Sequence, residues 1–190
     1  MDKEKLVQAI LNHAPLSRDL AEQIAAQFHD VKFNKGEIIL KKGEVSDAYY
    51  FLVSGVIRSY LFDTEGKEVS MDFYTENNFA FEVGSFFTRK PSEVNMEAVI
   101  ECKTLVINFT NLNTLFHEQP AFRELGRAIL VKAFINTKHR NYAMINRTAE
   151  ERYMELLEQQ PLILKHAPLK QIASYLGITD STLSRIRAKI

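Results

Sequence analysis

The residues with the clearest chemical purpose lie in the final stretch of the chain, LKQIASYLGITDSTLSRIRAKI. Ile172, Ala173, Leu176, Leu183 and Ile186 are spaced as the inner faces of two short helices. Ala173 is small where the second helix would cross the first. Gly177 can take the positive φ that the turn requires, Ile178 plugs the bend, and Thr179 is placed to cap the second helix. With Leu183 and Ile186 turned inward, Asp180, Ser181, Thr182, Ser184, Arg185, Arg187, Ala188 and Lys189 remain outside. That set suits DNA. The Arg185 guanidinium can bond the O6 and N7 of a guanine together. Ser181 suits a base or a phosphate. Thr182, Ser184, Lys189 and, at the start of the first helix, Lys170 suit phosphate oxygens. Thr179 and Asp180 complete the DNA-facing group. Asp180 either favours the helix dipole or accepts from a cytosine amine. The pattern is that of a helix-turn-helix whose second helix enters a major groove.

Other chemistry is sparse. No nucleophile and base share a recognisable frame, no His, Asp or Glu set has metal-ligand spacing, and no Gly loop ends in a phosphate-binding lysine. The chain is not expected to be an enzyme, and neither a metal nor a cofactor is expected. Cys102 is the single cysteine, which excludes a disulfide scaffold or an intramolecular iron–sulfur cluster. In VIECKTLVI it reads as a small half-buried hydrophobe on a strand. His13, His29, His117, His139 and His166 are scattered and read as surface or helix-end residues.

The elements that must position the terminal pair differ along the chain. Residues 3–28 carry helical apolar spacing broken at Pro15-Leu16-Ser17, so two short helices are expected, the second capped by Ser17. From Val31 to Ile107, β-rich runs alternate with turns at Asn34-Lys35-Gly36, Lys42-Gly43, Ser54-Gly55 and Asp63-Thr64-Glu65-Gly66, the mark of an antiparallel sandwich or barrel. Pro120 opens a long helix whose apolar stripe drifts and is nearly continuous at Ala128-Ile129-Leu130-Val131. One face can pack on the β domain and another on a second subunit; an ordinary core helix is the alternative. Thr148-Ala149-Glu150-Glu151 is a capping box opening a further helix with Tyr153, Leu156 and Leu157 inward, and Pro161 ends it. The zero net charge hides an asymmetry. Residues 1–119 carry 12 Lys and Arg against 18 Asp and Glu, net −6, and residues 120–190 carry 12 against 6, net +6. A basic C-terminal part fits phosphate binding.

A Gly-punctuated β domain, a long helix and a terminal helix-turn-helix together resemble the Crp/Fnr superfamily of transcription regulators over roughly residues 20–190, in the version common in Bacteroidetes. The matching β stretches are Lys35 to Gly43 and Tyr49-Tyr50-Phe51-Leu52-Val53-Ser54-Gly55. The resemblance implies an α+β chain: a cyclic-nucleotide-binding-like jelly roll at 1–118, a dimerisation helix at 119–146 and a winged-helix-like DNA-binding domain at 147–190. In the family's cyclic-AMP binders a glutamate bonds the ribose and an arginine neutralises the phosphate. Here Phe81, Glu82, Val83 and Gly84 align with the start of that cassette, Phe81 standing where a glycine belongs. The arginine position falls near Ser92-Glu93, and Arg89 would need a shifted loop to serve. A phosphate without its cation loses a charge-assisted pair of about 1.5–3 kcal/mol, so cyclic AMP is not the expected ligand. Phe73, Phe79, Phe81, Phe86 and Phe87 either line an apolar pocket or fill the core.

The partners implied are double-stranded DNA carrying an inverted repeat, a second copy of the chain, an effector of unknown identity or none, and RNA polymerase as a further candidate. The alternative is a ligand-binding or protein-interaction module whose terminal helices contact a protein. No apolar run reaches the length of a membrane span and the charged N-terminus lacks a signal-peptide pattern, so a cytoplasmic location is expected. Any β wing is expected before the helix pair, near Leu162–Ala167.

Overall fold

The computed structural model describes residues 2–189. Two helices lead: α1 (Asp2–His13) and α2 (Arg18–Ala26), the latter capped by the Ser17 hydroxyl accepting from the Leu20 amide. The β domain follows as β1 (His29–Phe33), β2 (Ile38–Leu40), β3 (Ala48–Ser54), β4 (Val56–Phe62), β5 (Glu68–Thr75) and β6 (Phe79–Ala80), then α3 (Val83–Thr88), β7 (Asn95–Ala98) and β8 (Cys102–Asn108). The strands form two antiparallel sheets, ordered β1-β8-β3-β6 and β2-β7-β4-β5. This is the expected jelly-roll sandwich. The β4–β5 hairpin turns at Asp63–Gly66, where Gly66 sits at φ +76° and the Asp63 carboxylate accepts from the amides of Glu65 and Lys67, each at 2.9 Å.

Strand alternation assigns the faces. Leu40, Leu52, Ile57, Met96, Ala98 and Cys102 fill the space between the sheets. Tyr49, Phe51, Val53, Leu105 and Ile107 point the other way, against α1, α2 and two later helices, α4 (Phe109–Glu118) and α5 (Pro120–Asn146). Cys102 is fully buried rather than half-buried, because its thiol lies between the sheets.

Helix α5 buries Phe122, Leu125, Ile129 and Ala143 but leaves Val131, Phe134, Ile135, Tyr142 and Ile145 exposed, Ile145 at 85%. Beyond it come α6 (Ala149–Gln159), α7 (Pro161–His166), α8 (Leu169–Tyr175) and α9 (Asp180–Arg187). The capping box at α6 is complete: Thr148 accepts from the Glu151 amide and Glu151 accepts from the Thr148 amide at 2.7 Å. Two expectations fail here. Leu157 lies outward, since Tyr153 and Leu156 already fill the inner face of α6. The anticipated wing segment, Leu162–Ala167, is helical: Pro161 starts α7, where its fixed φ and missing amide suit a first helical turn, and Ile163 plugs the core. Among the described residues no strand follows Asn108.

Candidate nucleic-acid interface

The terminal helix pair is built as its residue spacing requires. Ile172, Ala173, Leu176, Leu183 and Ile186 are all buried, Ala173 and Leu183 completely. Gly177 adopts φ +66° between the helices, and the Met144 methyl lies where a Cβ would stand, 2.4 Å away. The Thr179 hydroxyl caps α9 by accepting from the Thr182 amide at 3.2 Å. It also lies 3.0 Å from the hydroxyls of both Ser181 and Thr182.

With that inner face sealed, one surface remains. Asp180, Ser181, Ser184, Arg185 and Arg187 are exposed on α9, as are Ala188 and Lys189 just past its end, Thr179 at its N-cap and Lys170 on α8. Thr182 is half-buried; its hydroxyl accepts from the Arg185 guanidinium at 3.3 Å, which steadies that side chain. Lys189 approaches Glu150 of α6 at 3.8 Å, a weak pair at this exposure. The structure therefore gathers Thr179, Ser181, Ser184, Arg185 and Lys189 on α9 and at its ends, with Lys170 on the neighbouring helix. Asp180 stands in the first turn of α9, where its charge suits the dipole.

The pair is not free-standing. The outer face of α8 rests on the β2-β7-β4-β5 sheet through polar contacts. Ser174 Oγ accepts from the Ser70 amide at 2.8 Å and donates to the Glu68 carbonyl at 3.3 Å. Ser70 Oγ donates to the Gln171 carbonyl at 3.0 Å, and Gln171 Nε2 donates to Glu97 at 3.1 Å. Beneath them Arg58, 1% exposed, bonds Glu68 at 2.7 Å and Glu97 at 2.9 Å and stacks on Tyr60. Burial raises the Glu97 carboxyl above its ordinary value, with Arg58 opposing. Arg140 of α5 joins the parts, donating to the carbonyls of Met71 at 2.6 Å and Tyr175 at 3.1 Å. Phe73 packs edge-on against Tyr175, and one apolar cluster runs from Val56, Phe73 and Val99 into the helix pair. None of Arg58, Ser70, Arg140, Gln171 or Ser174 stands out in the sequence. Polar residues on the outer face of α8 read equally as a solvated face, so the sequence holds no signal of this contact.

The cassette expected in the β domain is spent on local structure. Glu82 caps α3 by accepting from the Gly84 amide at 3.0 Å and from the Ser85 amide. Val83 and Gly84 are exposed. Arg89 sits at φ +56°, donates to the Ser46 carbonyl at 2.7 Å and to Asp47 at 2.6 Å, and stacks on Phe109 at 4.0 Å. Ser92 is buried, and its hydroxyl donates to the Val94 carbonyl. Phe81 does not intrude on the space between the sheets. It turns to the helical layer and stacks on Tyr49 at 4.3 Å, because strand alternation directs Ala80 inward and its neighbours outward. Tyr74, bonded weakly to the Phe81 carbonyl at 3.5 Å, is pushed up by burial and by the carboxylates of Asp72 and Glu82. Of the five phenylalanines, Phe79, Phe81 and Phe87 line a narrow apolar cavity of about 20 Å³ beside α5. Phe86 is core, and Phe73 serves the contact with Tyr175.

The chain thus presents a jelly roll followed by a long helix and a docked helix-turn-helix. Comparison with known proteins agrees. Residues 30–119 match the model of the cyclic nucleotide-binding domain. The cAMP-activated global transcriptional regulator CRP of Salmonella typhimurium is 22% identical over 106 residues, 56% of this chain and 50% of that protein. The chain thus matches about half the length of that relative. Among solved structures, FixK2 from Bradyrhizobium japonicum superposes with a TM-score of 0.73 at 21% identity, covering 85% of this chain and 83% of that one. The c-di-GMP responsive regulator CLP of Xanthomonas campestris gives 0.71 at 18% identity, covering 91% of each. Residues 30–119 thus match the cyclic nucleotide-binding domain, and the chain as a whole shares the fold of solved regulators of the Crp/Fnr family. No helix among the described residues is long and apolar enough to cross a membrane.

Proposed function

We propose that this chain is a one-component transcription regulator that binds an inverted-repeat DNA site as a homodimer, through α9, and does not respond to cyclic AMP. The observation that carries the reading is the orientation of α9: its apolar face is sealed on α8, α8 is held to the β domain by its outer face, and Arg185 with its polar neighbours faces outward. Arg185 and Ser181 would read bases, while Lys170, Thr182, Ser184 and Lys189 would hold phosphates. The division into sensor, dimerisation helix and reader at residues 1–118, 119–146 and 147–190 belongs to the same proposal.

The exposed stripe Val131, Phe134, Ile135, Tyr142 and Ile145 supports the dimer, since steps of three, four and seven place those residues on one side of α5. Two readers related by that helix would meet major grooves about 34 Å apart. Against cyclic AMP stand the pairing of Arg89 with Asp47 and the occupation of Glu82 by backbone amides.

Electrophoretic shift with genomic fragments tests the proposal. A preferred site with inverted symmetry is expected, and Arg185→Ala should weaken it about 10- to 100-fold with the fold intact. Salt-labile binding without a preferred site, or no effect of Arg185→Ala, would favour a protein-contacting module instead.

A further inference from the structure

A groove lined mostly by polar side chains runs between α1 and α5, where α1 covers the β1-β8-β3-β6 sheet and the helix-turn-helix rests on the other. Its lining on α1 recurs every four residues: Glu4 and Lys5, Gln8 and Ala9, Asn12 and His13. Ala128 and Lys132 of α5 form the opposite wall, and Asn77 of the β5–β6 turn closes one side. The groove encloses about 870 Å³ open to solvent, enough for a small molecule by the ~300–1,000 Å³ of ordinary ligand sites.

The polar groups in it are mismatched with one another. Among the described residues, neither Lys5 nor Lys132 has a carboxylate partner. Lys5 Nζ donates to the Val53 carbonyl at 3.1 Å. Lys132 Nζ lies 3.5 Å from His13 Nε2. His13 Nδ1 sits 2.7 Å from the Ala9 carbonyl, which can only accept, so Nδ1 carries the proton and Nε2 offers its lone pair to Lys132. Lys132 thus faces an imidazole at the outer limit of a hydrogen bond rather than a carboxylate. The side-chain amides of Asn12 and Asn77 make no hydrogen bond among the described residues. The one acid in the groove, Glu4, is already neutralised: Arg18 grips both its oxygens at 2.8 and 3.0 Å, and Gln8 donates to it at 2.9 Å. Those bonds hold its carboxyl below the ordinary value.

We propose that this groove binds a small polyanion, a molecule bearing phosphate or carboxylate groups, held by Lys5 and Lys132 with Asn12 and Asn77 as supporting donors. Such a ligand would supply the charge that the two ammonium groups lack. It would also tie α1 to α5 one residue from Val131, at the edge of the exposed stripe. An effector would then act on the dimerisation helix from outside the sandwich, without the cassette.

Isothermal titration of the full-length chain at low salt, with pyrophosphate and with citrate as probes, tests the site. Saturable binding of at least one probe is expected. Lys132→Gln and Lys5→Gln should each weaken it about tenfold, the loss of one charge-assisted bond, while Arg185→Ala, on the DNA-facing helix, leaves it unchanged. Preference for pyrophosphate assigns the ligand to phosphates, and preference for citrate to carboxylates. Absence of saturable binding to about 10 mM, or binding abolished by Arg185→Ala but not by the lysine variants, overturns the proposal. Because no DNA is involved, its outcome is independent of the regulator reading.

Discussion

Replacing Arg58 by Met should reveal how the DNA reader is fastened to the sensor. Arg58 is 1% exposed and bonds two carboxylates, Glu68 and Glu97, under α8. Removing one partner of a buried ion pair costs about 3–5 kcal/mol, because the other charge is left stranded. The side chain of Glu68 is 38% exposed and can recover water, whereas that of Glu97 is 16% exposed and cannot, so the lower end of that range applies. Among the described residues Arg58 Nε has no hydrogen-bond partner, and deleting it returns about 1 kcal/mol. Met keeps the apolar contact with Tyr60. The net loss is about 2 kcal/mol at pH 7.5.

The pH dependence gives the sharper test. Burial already raises the Glu97 carboxyl, and Arg58 opposes the rise; without Arg58 it climbs further. A carboxyl raised in the folded state binds protons that the unfolded chain has released. It therefore costs stability above its folded pKa and stops doing so as the pH falls below the unfolded value. Urea midpoints of wild type and Arg58→Met should differ most at pH 7.5 and converge toward pH 4.5, and adding Glu97→Gln should restore much of the loss at neutral pH. A loss below about 0.5 kcal/mol, or one of equal size at both pH values, would refute this account of the contact.

Three further outcomes follow from single contacts. Gly126→Ala places a Cβ 2.4 Å from the Phe116 ring; overpacking of about 2 kcal/mol outweighs a helix-propensity gain of about 1 kcal/mol, so the melting temperature should fall rather than rise. Cys102 is buried and its thiol is pushed up to about 11, chiefly by desolvation, so it should resist a disulfide reagent at pH 8 in native protein and react at once in urea. Thr148→Ala removes half of a capping box and should lower thermal stability by about 1 kcal/mol, read by calorimetry, without changing the residual helix content.

Local chemistry was legible in the residues because local rules govern it. Gly66 and Gly177 are glycines where the backbone turns left-handed, and Ser17, Thr148 and Thr179 cap the helices that follow them. The inner and outer faces of α8 and α9 could be read for the same reason: five apolar positions at helical spacing leave one arrangement. The β wing was not legible. Leu162–Ala167 has the composition of either a short strand or a helical turn, and only the space left for Ile163 in the core chose the helix. Which way the Phe81 ring turns was not legible either, since alignment with a glycine says what is replaced but not where the new ring goes.

By itself the order of residues determined the run of short antiparallel strands, the long helix and the terminal helix pair, because each rests on periodicity and capping within a few residues; which strands pair into the jelly roll, such as β1 with β8, was left to the tertiary structure. Tertiary structure alone decided where the charges end up. Arg89 is claimed by Asp47, Arg58 by Glu68 and Glu97, and Arg140 by the carbonyls of Met71 and Tyr175, partners 35 residues or more away except within the β4–β5 hairpin. An arginine's reach is satisfied by whatever acceptor the fold brings near, and separation along the chain carries no record of that.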